Sequence, residues 1–253
     1  MSSANLFRLS TSDLNVSRIS TIEQCFGDSG IPLLRTGRVL IAEGVLLKVC
    51  RKRPKKRQFF LFNDLLVYGN IVISKKKYTK QQIIELDDVR AQLTQEEKGF
   101  QVISPKKSFT VYTNTSLEAS KWVEYINKYA KDCTEHRDVA QAASAAEVAP
   151  VWIPDKAQQK CMLCSASFTV INRRHHCRRC GHLVCQSCSN RKWLLPAQSK
   201  KPQRICSSCY TSLLSGGSIG DSEADAAPVE AAAAPAVVAA STDGSSTSEC
   251  DSD

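Results

Sequence analysis

A chain of 253 residues has room for one or two domains at ~100 to 200 residues each, which excludes a large multidomain machine. Apolar residues make up 42%, enough for a buried core, yet no run approaches the ~18 consecutive apolar residues of a transmembrane helix, and Met1 to Ser20 lacks the basic-then-apolar layout of a signal peptide. The expected compartment is the cytosol or nucleus, where thiols stay reduced, so twelve cysteines need an explanation other than disulfides, and a net charge of +9 points to anionic partners.

The charge is unevenly distributed. Segment 1–34 sums to −1, 35–132 to +10, 133–150 to −2, 151–210 to +10 and 211–253 to −8. Two basic modules therefore precede an acidic tail. In the first segment, Val16, Ile19, Ile22 and Phe26 recur at near-helical spacing before Gly27, which predicts an amphipathic helix. From Arg38 to Val111, β-favouring runs alternate with polar turns: Gly44–Cys50, Gln58–Tyr68, Asn70–Ile73, Gln82–Leu86, Phe100–Ile103 and Ser108–Tyr112. These predict antiparallel strands. Thr115-Ser116-Leu117-Glu118 is a capping box, and Trp122, Val123, Ile126 and Tyr129 follow at helical spacing, with Trp122 expected in the core.

The run Arg51-Lys52-Arg53-Pro54-Lys55-Lys56-Arg57 has three readings: a solvated hairpin loop, a nuclear-localisation signal, or a cradle for an anionic headgroup. Pro54 and the flanking strands favour a turn in a folded module, which demotes the nuclear reading. A set of strands closed by a helix with a buried Trp, together with Phe59-Phe60-Leu61-Phe62-Asn63-Asp64-Leu65-Leu66, resembles the pleckstrin homology (PH) fold over 35–131. That resemblance implies phosphoinositide contacts at the end of the first strand and the start of the second, here Lys48, Lys55 and Arg57.

Residues 132–150 are Ala-rich, and 211–253 hold Gly, Ser, Ala, Pro and acid with no aromatic residue; these predict a linker and a disordered acidic tail. Between them, eight cysteines form four C-x2-C pairs at 161/164, 177/180, 185/188 and 206/209. Each pair supplies two thiolates from one knuckle, so four pairs imply two tetrahedral Zn2+ ions. Structural zinc also explains how some 60 residues fold with few large apolar side chains. Spacing alone leaves the pairing ambiguous. Its pattern resembles the cross-braced arrangement, which puts Cys161, Cys164, Cys185 and Cys188 on one ion and Cys177, Cys180, Cys206 and Cys209 on the other. His175 or His176 as a ligand is the alternative, although eight cysteines already fill two tetrahedra.

Three short motifs make this module specific. Trp152-Ile153-Pro154-Asp155 matches W-x-x-D, Arg173 to Arg178 matches R-R-H-H-C-R, and Arg204-Ile205-Cys206 matches R-V-C with Ile for Val. With the eight cysteines they resemble the FYVE zinc finger over 151–210. The resemblance implies binding of phosphatidylinositol 3-phosphate on endosomal membranes. It assigns phosphate to Arg173, Arg174, Arg178 and Arg204, and headgroup hydrogen bonds to His175, His176 and Asp155 beside Trp152. It also implies a protruding loop in which Val170 and Ile171 enter the bilayer while Phe168 stays in a small core.

An N-terminal segment, a PH module and a FYVE finger with little else resemble the Phafin family. The expected fold class is α+β multidomain: a PH-like antiparallel β-barrel or sandwich capped by a C-terminal helix, then a small double-zinc finger and the tail. The expected function is that of a non-enzymatic adaptor, peripheral on early endosome membranes and also considered at the lysosome. Trafficking or autophagy-related signalling is the expected setting. Two alternatives compete. A RING-type E3 ubiquitin ligase is also cross-braced, but normally has a His ligand and lacks the R-R-H-H-C-R cluster. A nucleic-acid-binding protein should interleave aromatics with its basic run, and none are interleaved here. No catalytic constellation is visible.

Overall fold

The computed structural model describes residues 12–135 and 148–216. The middle of the predicted linker, 136–147, and the predicted acidic tail from 217 lie outside the described residues.

Helix α1, Asp13–Phe26, starts where the Ser12 side chain accepts the Asn15 amide, and it buries Ile19, Ile22, Cys25 and Phe26. A seven-stranded antiparallel sheet follows: β1 Leu40–Lys48, β2 Lys55–Phe62, β3 Leu65–Ile73, β4 Lys77–Glu85, β5 Arg90–Leu93, β6 Gly99–Ile103 and β7 Phe109–Tyr112, in the order β4-β3-β2-β1-β7-β6-β5. Helix α2, Ser116–Glu135, closes the module. The capping box forms with Thr115 Oγ1 accepting the Glu118 amide, while Glu118 reaches back to the amide of Asn114.

Two hydrophobic clusters sit on opposite faces of β2 and β3. One packs Phe59, Leu61 and Phe109 against Trp122 and Ile126 of α2. The other packs Phe60, Phe62 and Val67 against Ile19, Ile22 and Phe26 of α1. Phe26 meets the rings of Phe60 and Tyr78, and a Cβ at Gly69 would stand 2.5 Å from its ring, so glycine is what lets the helix approach. Burial on both faces explains why Phe59-Phe60-Leu61-Phe62 is continuously apolar rather than alternating. The predicted core position of Trp122 holds: its ring meets Phe59 edge-on at 6.5 Å.

The strand limits differ from the sequence expectation. Gln58–Tyr68 is two strands, because Asn63 and Asp64 turn the chain: Asn63 accepts the Val39 amide, and both carboxylate oxygens of Asp64 bind Arg38. Asn70–Ile73 is the end of β3, and β5 was not anticipated. Helix α2 runs to Glu135, where Thr134 donates to the Asp87 carbonyl and Cys133 packs on the core.

Beyond the undescribed stretch the chain returns to the sheet module. The Ala149 amide donates to the Ser104 carbonyl at 3.0 Å, and Val151 bridges Ser108. The finger then builds on two small hairpins, β8 His175–His176 with β9 Leu183–Val184 and β10 Arg191–Trp193 with β11 Gln203–Ile205, and ends in helix α3, Ser207–Leu214. The β1–β2, β3–β4 and β6–β7 turns all lie at one end of the sheet module. The finger sits at that end: the Asp155 amide donates to the Arg51 carbonyl at 2.9 Å, and the Arg51 guanidinium is 3.8 Å from the Asp155 carboxylate.

Candidate functional site

The eight paired cysteines form two quartets, Cys161/Cys164/Cys185/Cys188 and Cys177/Cys180/Cys206/Cys209, with all Sγ atoms of a quartet within 4.8 Å of one another. This is the cross-braced grouping, and neither histidine belongs to it. A tetrahedron with Zn–S bonds of ~2.3 Å has edges of ~3.8 Å. The Cys164–Cys185 and Cys180–Cys206 separations of 3.7 and 3.9 Å match that edge. Backbone amides of Cys185 and Cys206 donate to the sulfurs of Cys161 and Cys177, each at 3.3 Å. Burial alone would raise the Cys161 thiol, but amide hydrogen bonds from Cys164, Cys185 and Leu163 outweigh it, bringing it to about 6. Hydrogen bonds from Cys180, Cys206 and Cys209 drive Cys177 far down as well. A thiolate is the form that zinc takes.

The knuckle after Cys180 turns on Gly181, at φ +78°, where a Cβ would meet the Val151 carbonyl oxygen at 2.7 Å. Both the conformation and the close approach require glycine. Gly181→Ala should cost ~1 to 3 kcal/mol, lowering the finger's melting transition and its resistance to chelators while the sheet module's transition stays in place.

The basic motif is a strand with two unlike faces. His176 is buried; its Nε2 lies 2.7 Å from the Ile153 carbonyl, and its ring stacks on Trp152 at 4.8 Å. His175 and Arg174 are half-buried, and Arg173 is exposed. Burial, then the cations of Arg204 and Arg178, lower His175; burial also lowers His176 despite the Ile153 carbonyl and Asp155. Asp155 Oδ1 is 3.8 Å from His176 Nε2, buried, and without a hydrogen-bond partner. Arg174 stands over the Phe168 ring and donates to Gln158 and Gln159, while Arg178 lies over Trp152 at 4.5 Å. Arg204 donates to Gln186 and Ser189. Arg179, whose role the sequence left open, is buried and braces α3 through the Cys209 carbonyl and Ser212.

The loop before this strand ends in the two most exposed apolar side chains described, Val170 at 85% and Ile171 at 96%. Its base is fixed. The Phe168 amide donates to Gln159, Asn172 exchanges bonds with Thr169 and Ser167, and the Phe168 ring packs on the zinc cluster.

In the sheet module, Lys48 and Lys55 face each other across β1 and β2. Lys48 is buried, its ammonium 4.6 Å from the Phe109 ring centroid; Arg57 is also buried, and Lys55 half-buried. The structure brings Lys48, Arg51 and Arg178 to one cleft between the modules, while Lys55 and Arg57 are not part of its wall. Lys106 and Lys107, in the β6–β7 turn, line it too. The sequence singled out neither; their only signal was a lysine pair after Pro105.

A sheet closed by a helix and joined to a cross-braced double-zinc finger defines a PH domain followed by a FYVE finger. Family models agree, the PH domain matching residues 40–131 and the FYVE zinc finger residues 151–215. The chain belongs to the pleckstrin homology domain-containing family F, the Phafin family. It is 52% identical over 215 residues to family F member 2 of Homo sapiens, covering 83% of this chain and 85% of that protein. The member 2 protein of Gallus gallus gives 52% over 214 residues, with the same coverage. Member 1 of Homo sapiens is 45% identical over 210 residues, covering 81% and 74%. The chain is therefore a phosphoinositide-binding protein of the adaptor type whose finger binds two zinc ions and which associates peripherally with membranes. Among the described residues no helix is long and apolar enough to cross a bilayer.

Proposed function

We propose that this protein is a non-enzymatic adaptor recruited to endosomal membranes, its FYVE finger selecting phosphatidylinositol 3-phosphate and its PH domain adding phosphoinositide affinity. The division runs 1–34, 35–131, 132–150, 151–210 and 211–253, as N-terminal helical segment, PH domain, linker, finger and acidic tail. The zinc ligands are the two cysteine quartets. Arg173, Arg174, His175, Arg178 and Arg204 serve the phosphate, His176, Asp155 and Trp152 the ring, and Val170 with Ile171 the bilayer. Lys48, Lys55 and Arg57 are the PH contacts. The reading is set in endosomal trafficking or autophagy and lysosome-related signalling.

One observation carries it: Asp155 Oδ1, a buried acceptor without a hydrogen-bond partner and 3.8 Å from His176 Nε2, lies beside a segment that otherwise presents cations. Phosphate needs donors alone, whereas a phosphorylated polyol also brings hydroxyls that need an acceptor. Neither a nucleic-acid backbone contact nor a ubiquitin-transfer surface calls for that combination.

The test is vesicle binding across the singly and multiply phosphorylated inositides. The full chain should prefer phosphatidylinositol 3-phosphate. Arg173→Gln with His175→Ala should weaken that preference at least about 10- to 100-fold, the lost charged hydrogen bond of Arg173 alone being worth ~1.5 to 3 kcal/mol, with two zinc ions retained. An unchanged preference in the variant, or equal binding to every inositide by the parent, would overturn the assignment.

A further inference from the structure

The segment 149–155, which carries the W-x-x-D motif, is a strap held from two sides. On the PH side the Ala149 amide donates to the Ser104 carbonyl at 3.0 Å, Val151 bridges Ser108, and the Asp155 amide donates to the Arg51 carbonyl at 2.9 Å. On the finger side Trp152 stacks on His176, the Ile153 amide donates to the Gly181 carbonyl at 3.3 Å, and the Ile153 carbonyl lies 2.7 Å from His176 Nε2. Backbone groups bonded to both modules leave the strap little freedom to move.

Its last residue is the acceptor assigned to the inositol ring. The two oxygens of Asp155 have different surroundings: one, Oδ2, faces the Arg51 guanidinium at 3.8 Å, and the other, Oδ1, is buried without a hydrogen-bond partner, 3.8 Å from His176 Nε2. A carboxylate turns about its side-chain bonds unless one oxygen is engaged. A cation at Oδ2 keeps Oδ1 turned toward the basic segment. Arg51 is suited to that task, because its own carbonyl already binds the Asp155 amide, so guanidinium and carboxylate start from a set separation. An acceptor oriented before the ligand arrives costs less to engage. The Arg51 side chain is 41% exposed, so solvent screens the pair and its effect is modest.

We propose that Arg51 of the PH domain is a positioning residue for the finger's headgroup site, acting through Asp155 to present Oδ1 to the ring hydroxyls, a role that rests on the assignment of Asp155 to the ring made above. Arg51 touches no ligand atom in this role. The PH domain thereby completes a site whose other residues all come from the finger.

The test is a double-mutant cycle in the full zinc-loaded chain, read as vesicle affinity for phosphatidylinositol 3-phosphate relative to phosphatidic acid, a phosphate monoester with no ring hydroxyls. Arg51→Ala should lower that ratio about threefold or more, with two zinc ions and both melting transitions retained. Arg51→Lys keeps a cation and should stay within about twofold of the parent. Lys76→Ala, which removes one exposed cation from the neighbouring β3–β4 turn, should leave the ratio unchanged. In an Asp155→Ala background Arg51→Ala should add no further loss, because the carboxylate it orients is gone. An additive loss there would mean that Arg51 grips the ligand itself, and overturns the proposal. So does an unchanged or raised ratio in Arg51→Ala, a lowered zinc count in that variant, or an equal loss from Lys76→Ala. A parent that does not prefer phosphatidylinositol 3-phosphate over phosphatidic acid overturns the headgroup assignment and the positioning role together, whereas a parent preference that Arg51→Ala leaves intact overturns the positioning role alone.

Discussion

Cys177→Ser, or exposure to a strong chelator, is expected to unfold the finger and abolish its membrane binding while the sheet-and-helix module keeps its own melting transition. The cluster at the centre of the finger shows why. Its buried members are Cys161, Cys177, Cys185, Cys206 and Cys209 with Val184, Leu195 and Ile205, and around them Leu163, Phe168, Trp193, Tyr210 and Leu213 are only partly buried, so metal-binding sulfur sits at the centre of the interior. So few buried aliphatic side chains leave a fold of this size dependent on its metal. The apparent binding energy of a structural zinc, ~10 to 16 kcal/mol and already net of the folding that it drives, supplies what so small a core lacks. Native mass spectrometry should find two zinc ions per chain in the parent, and far-ultraviolet dichroism should report partial rather than complete unfolding of the variant. Fewer than two ions in freshly purified parent, or retained membrane binding by the variant, would contradict the assignment of the quartets.

Val170→Glu with Ile171→Glu is expected to give the largest effect that leaves the fold intact. The two side chains project into solvent from a loop whose base is held by Asn172, Thr169 and Phe168, so they are presented without a protein partner. Burial in lipid recovers ~1.5 to 3 kcal/mol for each, or ~3 to 6 together, which corresponds to about 10²- to 10⁴-fold in vesicle partition. Charged replacements forfeit all of that. Affinity for a soluble inositol 1,3-bisphosphate headgroup should stay within about twofold, because no headgroup contact is altered. Equal losses toward vesicles and soluble headgroup would instead signal a damaged finger, which the zinc count would show independently.

Much of the local structure was legible because it is written in short-range chemistry. The helix before Gly27 and the capping box at Thr115 and Glu118 depend on residues within a turn or two, and the apolar face that carries Trp122 into the core shows in the helical period; each is found. Strand limits were less legible. Phe59-Phe60-Leu61-Phe62 loses its alternation because α1 covers one face and α2 the other, so its period could not reveal where β2 stops. The Asn63–Asp64 turn is set by partners at Val39 and Arg38, about 25 positions upstream.

The sequence by itself determined that four C-x2-C pairs hold two zinc ions, that Arg173 to Arg178 concentrate cations around one zinc ligand, and that an apolar pair precedes them. Metal valence and side-chain type dictate those properties wherever the chain goes. The tertiary structure settled how the pairs divide, which spacing left ambiguous and the resemblance assigned in the same way, since the separation of the sulfurs selects one pairing. It also decided that Arg174 and Arg178 lie over aromatic rings, that Arg179 is a strut, and that Lys48 faces a cleft shared with Arg178. The cleft depends on the docking of segments distant in the chain, Ala149 onto Ser104 and Asp155 onto Arg51, and contacts of that range leave no period or spacing in the sequence.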